Sequence, residues 1–262
     1  MKIPLYQVDA FAGEVFSGNP AAVCPLDDWL PDAVLQAIAA ENNLAETAFL
    51  VADGEDFRLR WFTPTVEVPL CGHATLASAF VVMERLHPGR ASVTFHTMSG
   101  PLTVERRGAG YAMTVPRWTV RPVEAPPALD AALGAPPVEA WATDREYVLV
   151  YADEAAVRAL EPDMAALERF DRECFLATAP GEDVDFVLRF FAPAVGIPED
   201  PVTGSAQCGA APFWAARLGR ETVTSRQVSA RGGALRSRMM ADAVEVTGQC
   251  TLYLEGTIIL PG

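Results

Sequence analysis

The sequence carries one octapeptide twice: residues 57–64 read Phe-Arg-Leu-Arg-Trp-Phe-Thr-Pro, and residues 186–193 read Phe-Val-Leu-Arg-Phe-Phe-Ala-Pro. Five of the eight positions are identical, at an offset of 129 residues. A second matched pair follows in the same order, 72–79 (Gly-His-Ala-Thr-Leu-Ala-Ser-Ala) and 204–211 (Gly-Ser-Ala-Gln-Cys-Gly-Ala-Ala), at an offset of 132. Because both pairs keep their order and nearly their spacing, we interpret the chain as an internal duplication rather than as two unrelated strands of similar composition.

Each copy of the duplication predicts the same local structure. Apolar runs at 57–62 and 186–191 predict strands that end before a proline. After a loop and a glycine, small apolar residues predict helices over 73–86 and 205–217, which carry almost no charge at their starts and are therefore expected to be buried on all sides. The fold class that follows is α+β, with two similar halves that each wrap strands around a buried helix.

The boundary between the halves is predicted near the middle of the chain. A proline-rich stretch occupies 116–127, and we place the first domain at 1–117 and the second at 118–262, with the last strand either in its own half or returned to the first. The remaining elements predicted are a strand at 3–11, a helix at 31–41, a hairpin at 92–106 and 110–116, a helical stretch at 153–169 and mostly strands over 221–260.

Composition excludes several classes of function. The chain of 262 residues has 20 basic and 34 acidic side chains, a net charge of −14, which disfavours nucleic acids and anionic membrane surfaces as partners. No apolar run is long enough to span a bilayer, and the first residues lack the features of a signal peptide, so we expect a cytoplasmic protein. The only lysine is Lys2, which argues against Schiff-base and Walker-A chemistry.

The cysteines and histidines give no sign of a disulfide framework or a metal centre. Five cysteines are odd in number, widely spread and without a Cys-x-x-Cys pair, which is typical of reduced thiols. Three histidines are present, and none pair at a spacing of four residues. We therefore expect no metal site.

The starts of the two buried helices are candidate anion sites. Gly72 and Gly204 precede or open them, and the free N–H groups of a helix start, together with the positive end of its dipole, favour a negative charge. If the halves face each other, the two starts flank one cleft suited to a small carboxylate. The alternative is two ordinary helix starts in which glycine serves the turn. His73 stands directly at the first start, as a polar group aimed into such a cleft or as a structural residue.

Three further residues could carry chemistry, and each has an ordinary alternative. Glu46 lies in a strand-like apolar run, where it is either an outward-facing strand residue or a desolvated general acid/base. Asp200 precedes the second helix, as a capping residue or as a second acid/base. Cys71 precedes Gly72 and His73, as a thiol activated by the helix start or as a small buried residue.

Several motifs in this order resemble those of the phenazine-biosynthesis PhzF-like proteins, which share the diaminopimelate-epimerase fold. They span most of the chain: Asp9-Ala10-Phe11 with Ser17-Gly18-Asn19-Pro20-Ala21-Ala22-Val23, Asn43-Leu44-Ala45-Glu46-Thr47-Ala48-Phe49, Leu70-Cys71-Gly72-His73-Ala74-Thr75, Glu199-Asp200-Pro201-Val202-Thr203-Gly204-Ser205-Ala206, and Arg231-Gly232-Gly233. One position departs from the family pattern, since Ala12 stands where threonine is frequent.

The resemblance implies two domains related by a pseudo-twofold axis, each a β-barrel-like sheet around a central helix, with the active site between them. It implies a homodimer without a metal or an organic cofactor. Glu46 matches the family's acid/base, while His73, Asp200 and Ser205 match residues that bind or orient the substrate and assist proton transfer. Gly72 and Gly204 match glycines whose backbone donors hold anionic groups, and Cys71 is predicted with them and Ser205 as a substrate-binding residue.

Three hypotheses of function follow. The leading one is a cofactor-free isomerase that moves a proton on a small carboxylic acid, with Glu46 as the acid/base. The second is an amino-acid epimerase or racemase that depends on Cys71, although no second thiol stands near Asp200, and Cys208 falls four residues past Gly204. The third is a small-molecule binding protein without turnover.

Overall fold

Eighteen β-strands and six α-helices form the part of the chain that the structure, a computed structural model, describes, namely residues 1–260. Two units divide it: the first comprises Met1–Thr114 and the chain from Thr247 onward, and the second comprises Val115–Val246. Among the described residues, no helix is both long and apolar enough to cross a bilayer.

The first unit contains most of the N-terminal elements together with the last strand. Its strands are β1 (Lys2–Ala10), β2 (Asn19–Leu26), β3 (Glu46–Asp53), β4 (Asp56–Phe62), β5 (Glu67–Val68), β6 (Ser92–Thr97), β7 (Gly100–Arg107), β8 (Gly110–Pro116), which begins in this unit, and β18 (Cys250–Ile259). Its helices are α1 (Asp32–Asn42) and α2 (Gly72–Val81), and α2 continues into a π-helical turn over Val82–Leu86.

The strands of the first unit wrap around α2. β1 pairs antiparallel with both β18 and β2, β2 runs parallel to β3, β3 antiparallel to β4, β4 parallel to β6, and β6 antiparallel to β7. Helix α2 packs against β1, β2 and β3, and its residues 73–79 are all buried. A helix without a polar face is stable only where it is enclosed on all sides, and this sheet encloses it.

The second unit repeats the plan. Its strands are β9 (Arg121–Pro122), β10 (Glu139–Ala142), β11 (Glu146–Val150), β12 (Cys174–Pro180), β13 (Phe186–Ala192), β14 (Ile197–Asp200), β15 (Thr222–Gln227), β16 (Gly233–Met239) and β17 (Ala243–Gly248), which ends beyond it. Its helices are α3 (Leu129–Leu133), α4 (Glu154–Arg158), α5 (Met164–Leu167) and α6 (Gln207–Leu218). β11 is parallel to β12, β12 antiparallel to β13, β13 parallel to β15 and β15 antiparallel to β16.

This alternation of parallel and antiparallel pairs is the one found from β2 to β7 in the first unit. The repeated octapeptide forms β4 and β13, which hold the same place in the two ladders, and the two small-residue segments form α2 and α6. The internal duplication inferred from the sequence is therefore visible in the strand pairing of each unit.

The second buried helix begins later than predicted. Gly204, Ser205 and Ala206 form a turn, in which the Gln207 N–H donates to the Gly204 carbonyl at 3.2 Å and the Cys208 N–H donates to the Ser205 carbonyl at 3.0 Å. The helix therefore begins at Gln207 and not at Ser205. Bonds between residues three apart tighten the chain ahead of a helix, and composition alone does not separate them from the helix itself.

Two other expectations were wrong in detail. The stretch 92–106 is not one strand but two, β6 and β7, which pair antiparallel, and the expected hairpin with 110–116 is formed by β7 and β8. The predicted helix over 153–169 is two short helices, because Pro162 interrupts it and each part has its own N-cap. Asp153 accepts from the Ala156 N–H, and Asp163 accepts from the Ala166 N–H.

The motif at the start of the chain stabilises a loop between β1 and β2. The buried Asp9 carboxylate accepts a hydrogen bond from the Phe16 N–H at 3.0 Å. Gly18 has a φ of 69°, and a Cβ there would lie 2.2 Å from the Ala10 carbonyl oxygen, so no other residue fits. Ala12 takes part through its backbone, since its N–H donates to Gln249 and its carbonyl accepts from Thr251.

Candidate active site

Glu46 is the first residue of β3 and is buried in the first unit. The residue is 7% exposed, and the six residues from 46 to 51 are all buried. Because residues 46–51 are buried in succession rather than alternately, neither face of β3 is open to water at this point. The outward-facing interpretation of Glu46 is therefore wrong, and its carboxyl group is desolvated.

Cys71, Gly72 and His73 form the start of α2. Cys71 is the N-cap in an extended conformation, and its carbonyl accepts from the Thr75 N–H at 3.1 Å and from the Thr75 hydroxyl at 2.5 Å. Gly72 and His73 are the first two residues of the helix. The N–H groups of a first helical turn have no partner within the helix, so this start is the positive end of a buried dipole.

Three buried side chains converge at this helix start. His73 Nε2 lies 3.0 Å from Glu46 Oε2, and Cys71 Sγ lies 3.5 Å from His73 Nδ1 and 4.0 Å from Nε2. Exposure is 7% for His73 and 6% for Cys71. The imidazole therefore stands between a carboxylate and a thiol, with each of its nitrogens next to one of them.

Opposing effects set the protonation of Glu46 and His73. Burial alone would raise the pKa of Glu46, but the charge of His73 and its hydrogen bond outweigh it, so this pKa lies below its usual 4.5. For His73, burial works to lower the pKa, and the neighbouring Cys71 and Glu46 raise it well above 6.5. At neutral pH the pair is therefore carboxylate and imidazolium.

Cys71 is a thiol at neutral pH rather than a thiolate. Burial is the largest cause that raises its pKa, and the negative charge of Glu46 adds to it, while His73 acts in the opposite direction. Because the thiol is neutral, the charge that sustains the imidazolium of His73 at neutral pH is that of Glu46. The helix start does not activate Cys71 in the free protein.

The space in front of Gly72 is open. A Cβ at this position would contact only the Met113 sulfur, at 3.9 Å, which is an ordinary van der Waals distance. Its backbone does not adopt a positive φ either, since it is the first residue of a regular helix. Neither packing nor conformation requires glycine here, so the missing side chain leaves room for something outside the chain to approach the backbone.

Asp200 ends β14 in the second unit. One of its carboxylate oxygens accepts from the Thr203 hydroxyl at 2.6 Å, and its carbonyl accepts from the Gln227 side-chain amide at 2.6 Å. The side-chain Oε1 of Gln227 in turn accepts a hydrogen bond from the Thr203 backbone N–H at 2.8 Å. The loop after Asp200 is thus attached to the end of β15, which fixes the direction of the Asp200 carboxylate.

Gly204 and Ser205 follow in the turn that leads into α6. Gly204 is buried, whereas Ser205 and Asp200 are partly exposed. Ser229 donates to the Pro201 carbonyl at 2.7 Å and closes the other side of the loop. Asp200, Gly204 and Ser205 therefore lie on one well-bonded segment of the second unit.

The sequence-predicted residues fall into two groups by unit. Glu46, Cys71, Gly72 and His73 come together in the first unit, and Asp200, Gly204 and Ser205 share one loop of the second. The sequence pointed to all of these positions but not to Thr203 and Gln227, which hold Asp200. Thr203 stands inside the quoted motif and could have been noticed as the hydroxyl three residues past Asp200. Gln227 lies in a distant strand, where no sequence signal marks it.

Known proteins of similar sequence and structure identify the family to which this architecture belongs. A family model described as "Phenazine biosynthesis-like protein" matches residues 8–256. A curated protein of Pseudomonas aeruginosa named as an uncharacterized isomerase is 48% identical over 260 residues, which is 99% of this chain and 100% of that protein. A crystal structure of a PhzF-family protein from Enterococcus faecalis superposes with a TM-score of 0.97 at 44% identity and covers 99% of this chain and 100% of that one.

A more distant likeness extends the fold beyond this family. A hydroxyproline epimerase from Agrobacterium vitis matches with a TM-score of 0.63 at 11% identity, over 98% of this chain and 92% of that one. Identity this low bears on the fold alone. The predicted α+β fold of the diaminopimelate-epimerase type, with a β-barrel-like sheet around a central helix in each half, is confirmed.

Proposed function

The chain belongs to the phenazine biosynthesis-like protein family and is an isomerase, and on that premise we propose that it moves a proton between two carbons of a small carboxylic acid, with Glu46 as the acid/base. The observation that carries the proposal is the buried contact of 3.0 Å between the Glu46 carboxylate and His73 at the start of α2. Buried groups with perturbed pKa values cluster at functional sites. General acid/base catalysis of proton transfer is a role that a buried, ionised carboxylate can perform.

Each step of the reaction balances in protons and electrons. Glu46 takes the proton from a carbon beside a conjugated carboxylic acid, and the electron pair of that C–H bond moves into the conjugated system. The carboxylic acid form of Glu46 then returns the proton to another carbon of the same system, where the new C–H bond forms and the double bond shifts. Glu46 is a carboxylate again, and substrate and product are isomers.

The lowered pKa of Glu46 makes the site depend on charge stabilisation. A carboxylate of low pKa is a weak base, so the carbon acid has to be made more acidic by stabilising the negative charge that develops on it. The start of α2 supports this role, because the space before Gly72 is open and the helix N–H groups point into it. We propose that the substrate carboxylate binds there.

His73 is proposed as the residue that sets the state of Glu46. As an imidazolium it keeps the carboxylate ionised between turnovers. Asp200, Ser205 and Gly204 are proposed to bind the substrate and assist the transfer. Their shared loop and the family motif around them support that role.

A second candidate is an amino-acid epimerase or racemase that uses Cys71 as its base. The observation in its favour is the 3.5 Å contact between Cys71 Sγ and His73 Nδ1. The raised pKa of Cys71 weighs against it, because a protonated thiol is not a base. Inversion at an α-carbon that depends on Cys71 would establish this function instead.

Deuterium uptake from D₂O tests the proposal. A panel of small unsaturated and amino carboxylic acids is incubated with the protein, with Glu46→Gln and with Glu41→Gln, whose parent side chain is exposed on α1, and is read by mass spectrometry. We expect uptake with the wild type and Glu41→Gln and none above background with Glu46→Gln. Equal uptake in all three proteins would remove Glu46 from its role. Binding of panel acids without uptake would favour a binding protein without turnover.

A further inference from the structure

The three side chains at the start of α2 lie close together and offer three different types of metal-ligand atom. One carboxylate oxygen of Glu46, one imidazole nitrogen of His73 and the Cys71 sulfur all lie within 4.8 Å of one another, and all three residues are buried. The spacing of histidines in the sequence gives no hint of this arrangement, because Glu46 is brought in from a different strand. We propose that Glu46, Cys71 and His73 bind one Zn²⁺ ion and that its binding switches the isomerase off.

The donor types match the preference of zinc. Zn²⁺ is a borderline-soft ion that takes thiolate, imidazole and carboxylate ligands together, and catalytic and regulatory sites use three protein ligands with one position left open. Magnesium and calcium prefer oxygen ligands and would gain little from a thiolate and an imidazole. The set therefore selects zinc or a close relative such as Co²⁺ over the common alkaline-earth ions.

The distances need little adjustment. Tetrahedral zinc with these ligands holds its donor atoms roughly 3.3–3.7 Å apart. Here His73 Nε2 is 3.0 Å from Glu46 Oε2 and 4.0 Å from Cys71 Sγ. All three donor atoms lie within 4.8 Å of one another, so coordination requires side-chain movements on the order of 1 Å.

Charge balance supports a divalent cation at this place. A carboxylate, a thiolate and a neutral imidazole sum to −2, so the loaded site is neutral, as a buried site has to be. The positive end of α2 would repel a bare cation, but it stabilises the thiolate that the cation needs as a ligand. Each of the three residues retains 6–7% of its surface in contact with solvent.

Occupancy would stop turnover for a direct reason, and this part of the inference rests on the proposed function. Zinc would take the lone pair with which Glu46 removes the substrate proton. It would also replace the imidazolium proton of His73 and occupy space next to Gly72, where we place the substrate carboxylate. The expected consequence is inhibition by one equivalent of Zn²⁺ that a chelator reverses.

The test begins with metal binding in the absence of any substrate. Zn²⁺ is titrated calorimetrically into the reduced protein, and Co²⁺ is added as a spectroscopic probe, because a thiolate ligand gives it a charge-transfer band in the near ultraviolet. We expect one ion per chain and a thiolate band. Glu46→Gln, Cys71→Ser and His73→Asn should each weaken binding by about 100-fold or more, and Cys71→Ser should abolish the band.

Two matched controls exclude binding elsewhere. Glu146→Gln removes a second buried glutamate in the same chain, and His96→Asn removes an exposed histidine on β6. Both should bind Zn²⁺ as the wild type does. Far-ultraviolet circular dichroism and thermal melting identify any variant that fails to fold, and three independent ligand variants keep the result interpretable.

The outcomes separate this inference from the proposed function. Absence of a cobalt–thiolate band in the wild type, or a band that survives in Cys71→Ser, overturns the zinc site whatever the deuterium exchange shows. A band without any deuterium uptake supports the site and contradicts the isomerase proposal. With both present, one equivalent of Zn²⁺ should stop deuterium uptake and EDTA should restore it; uptake that continues in the presence of zinc overturns the switch.

Discussion

Two buried glutamates each begin one strand of a parallel pair in their unit, Glu46 on the second strand of its pair and Glu146 on the first strand of the other, and they behave in opposite ways. Glu46 begins β3 and is the first residue of the parallel ladder with β2, and Glu146 begins β11 and is the first residue of the parallel ladder with β12. Glu46 lies against the start of α2. Glu146 lies against the first turn of α6, where a Cβ on Gly209 would be 3.1 Å from its carboxyl oxygen.

The two glutamates differ in the charged side chain that lies next to each carboxyl group. Glu46 Oε2 lies 3.0 Å from His73 Nε2 and the carboxyl group is ionised, whereas Glu146 is 1% exposed and, among the described residues, only Arg145 acts to stabilise its charge. Burial raises the pKa of Glu146 to about 8, and Arg145 offsets little of that shift. Both glutamates are buried, so burial alone does not determine whether they are ionised. The difference comes from His73 on α2, which stabilises the charge of Glu46.

The largest effect is expected from exchanging each carboxyl group for an amide. Glu46→Gln should reduce the rate of deuterium exchange by about 10³-fold, because it removes the group that carries the proton. Glu146→Gln should stay within about threefold of the wild type, because no step is assigned to that residue. Single-turnover rates on the substrate found in the panel measure both. Comparable losses in the two variants would end the distinction between them.

Next in size is an effect of Glu146 on stability, with a sign set by its raised pKa. The unfolded chain ionises this carboxyl near 4.5 and the folded chain near 8, so stability from the protonated form is full below pH 4.5 and is lost as the pH rises to about 8. Glu146→Gln does not titrate, so it should exceed the wild type by roughly 5 kcal/mol at pH 9 and gain nothing at pH 4.

Urea unfolding at several pH values measures this prediction. The exposed Glu41→Gln serves as the matched control and should follow the wild type at every pH. A gain in Glu146→Gln that did not change between pH 4 and pH 9 would show that the carboxyl group is ionised in the folded protein, as Glu46 is.

Removal of the partner should make Glu46 resemble Glu146. In His73→Gln the carboxyl group keeps its burial but loses the positive charge, so its pKa should rise above 4.5 and the acid limb of the pH–rate profile should move up by about 1 pH unit or more. At neutral pH the rate should fall about 10- to 100-fold. An acid limb that stays in place would mean that His73 does not control the charge of Glu46.

The smallest effect is expected at Cys71. Cys71→Ser keeps a small polar side chain next to His73 and should lower the rate of proton transfer by less than about tenfold, because the thiol is protonated and has no step of its own. The racemase hypothesis requires near-complete loss in the same variant. The rate of isomerisation and the rate of inversion at an α-carbon, measured side by side, decide between the two.

The fold was predictable because its signals are local. The repeated octapeptide and the small-residue segments showed strands and buried helices directly, since an apolar run without a polar face is stable only when it is enclosed. The prediction that failed, the start of the second buried helix, also concerns a local feature. Three residues at 204–206 have helix-like composition but form a turn, and the backbone bonds that decide this leave no trace in residue type.

The site was predictable as a set of positions and not as a geometry. The residues alone left Glu46 as either an outward strand residue or a buried acid/base, because alternation is the usual rule for strands, whereas residues 46–51 of β3 are all buried. Its contact with His73 depends on the pairing of β3 with β2 and on the packing of α2, which are long-range features. Glu146 carries no motif at all. The catalytic roles, the homodimer and the cleft expected from the family resemblance stay predictions.

The pairing of β1 with β18 has a consequence for the order in which the protein is made. The second unit is continuous in sequence, so it can fold while synthesis is still in progress. The first unit is not, because β1 pairs with β18 from Lys2 to Ala10 and α2 packs against β18 as well. The ribosome therefore delivers Glu46 and His73 early, but their enclosure is completed only after residues 250–259 have emerged. A premature stop before β18 would leave the second unit complete in sequence and the first unit without the strand that pairs with β1.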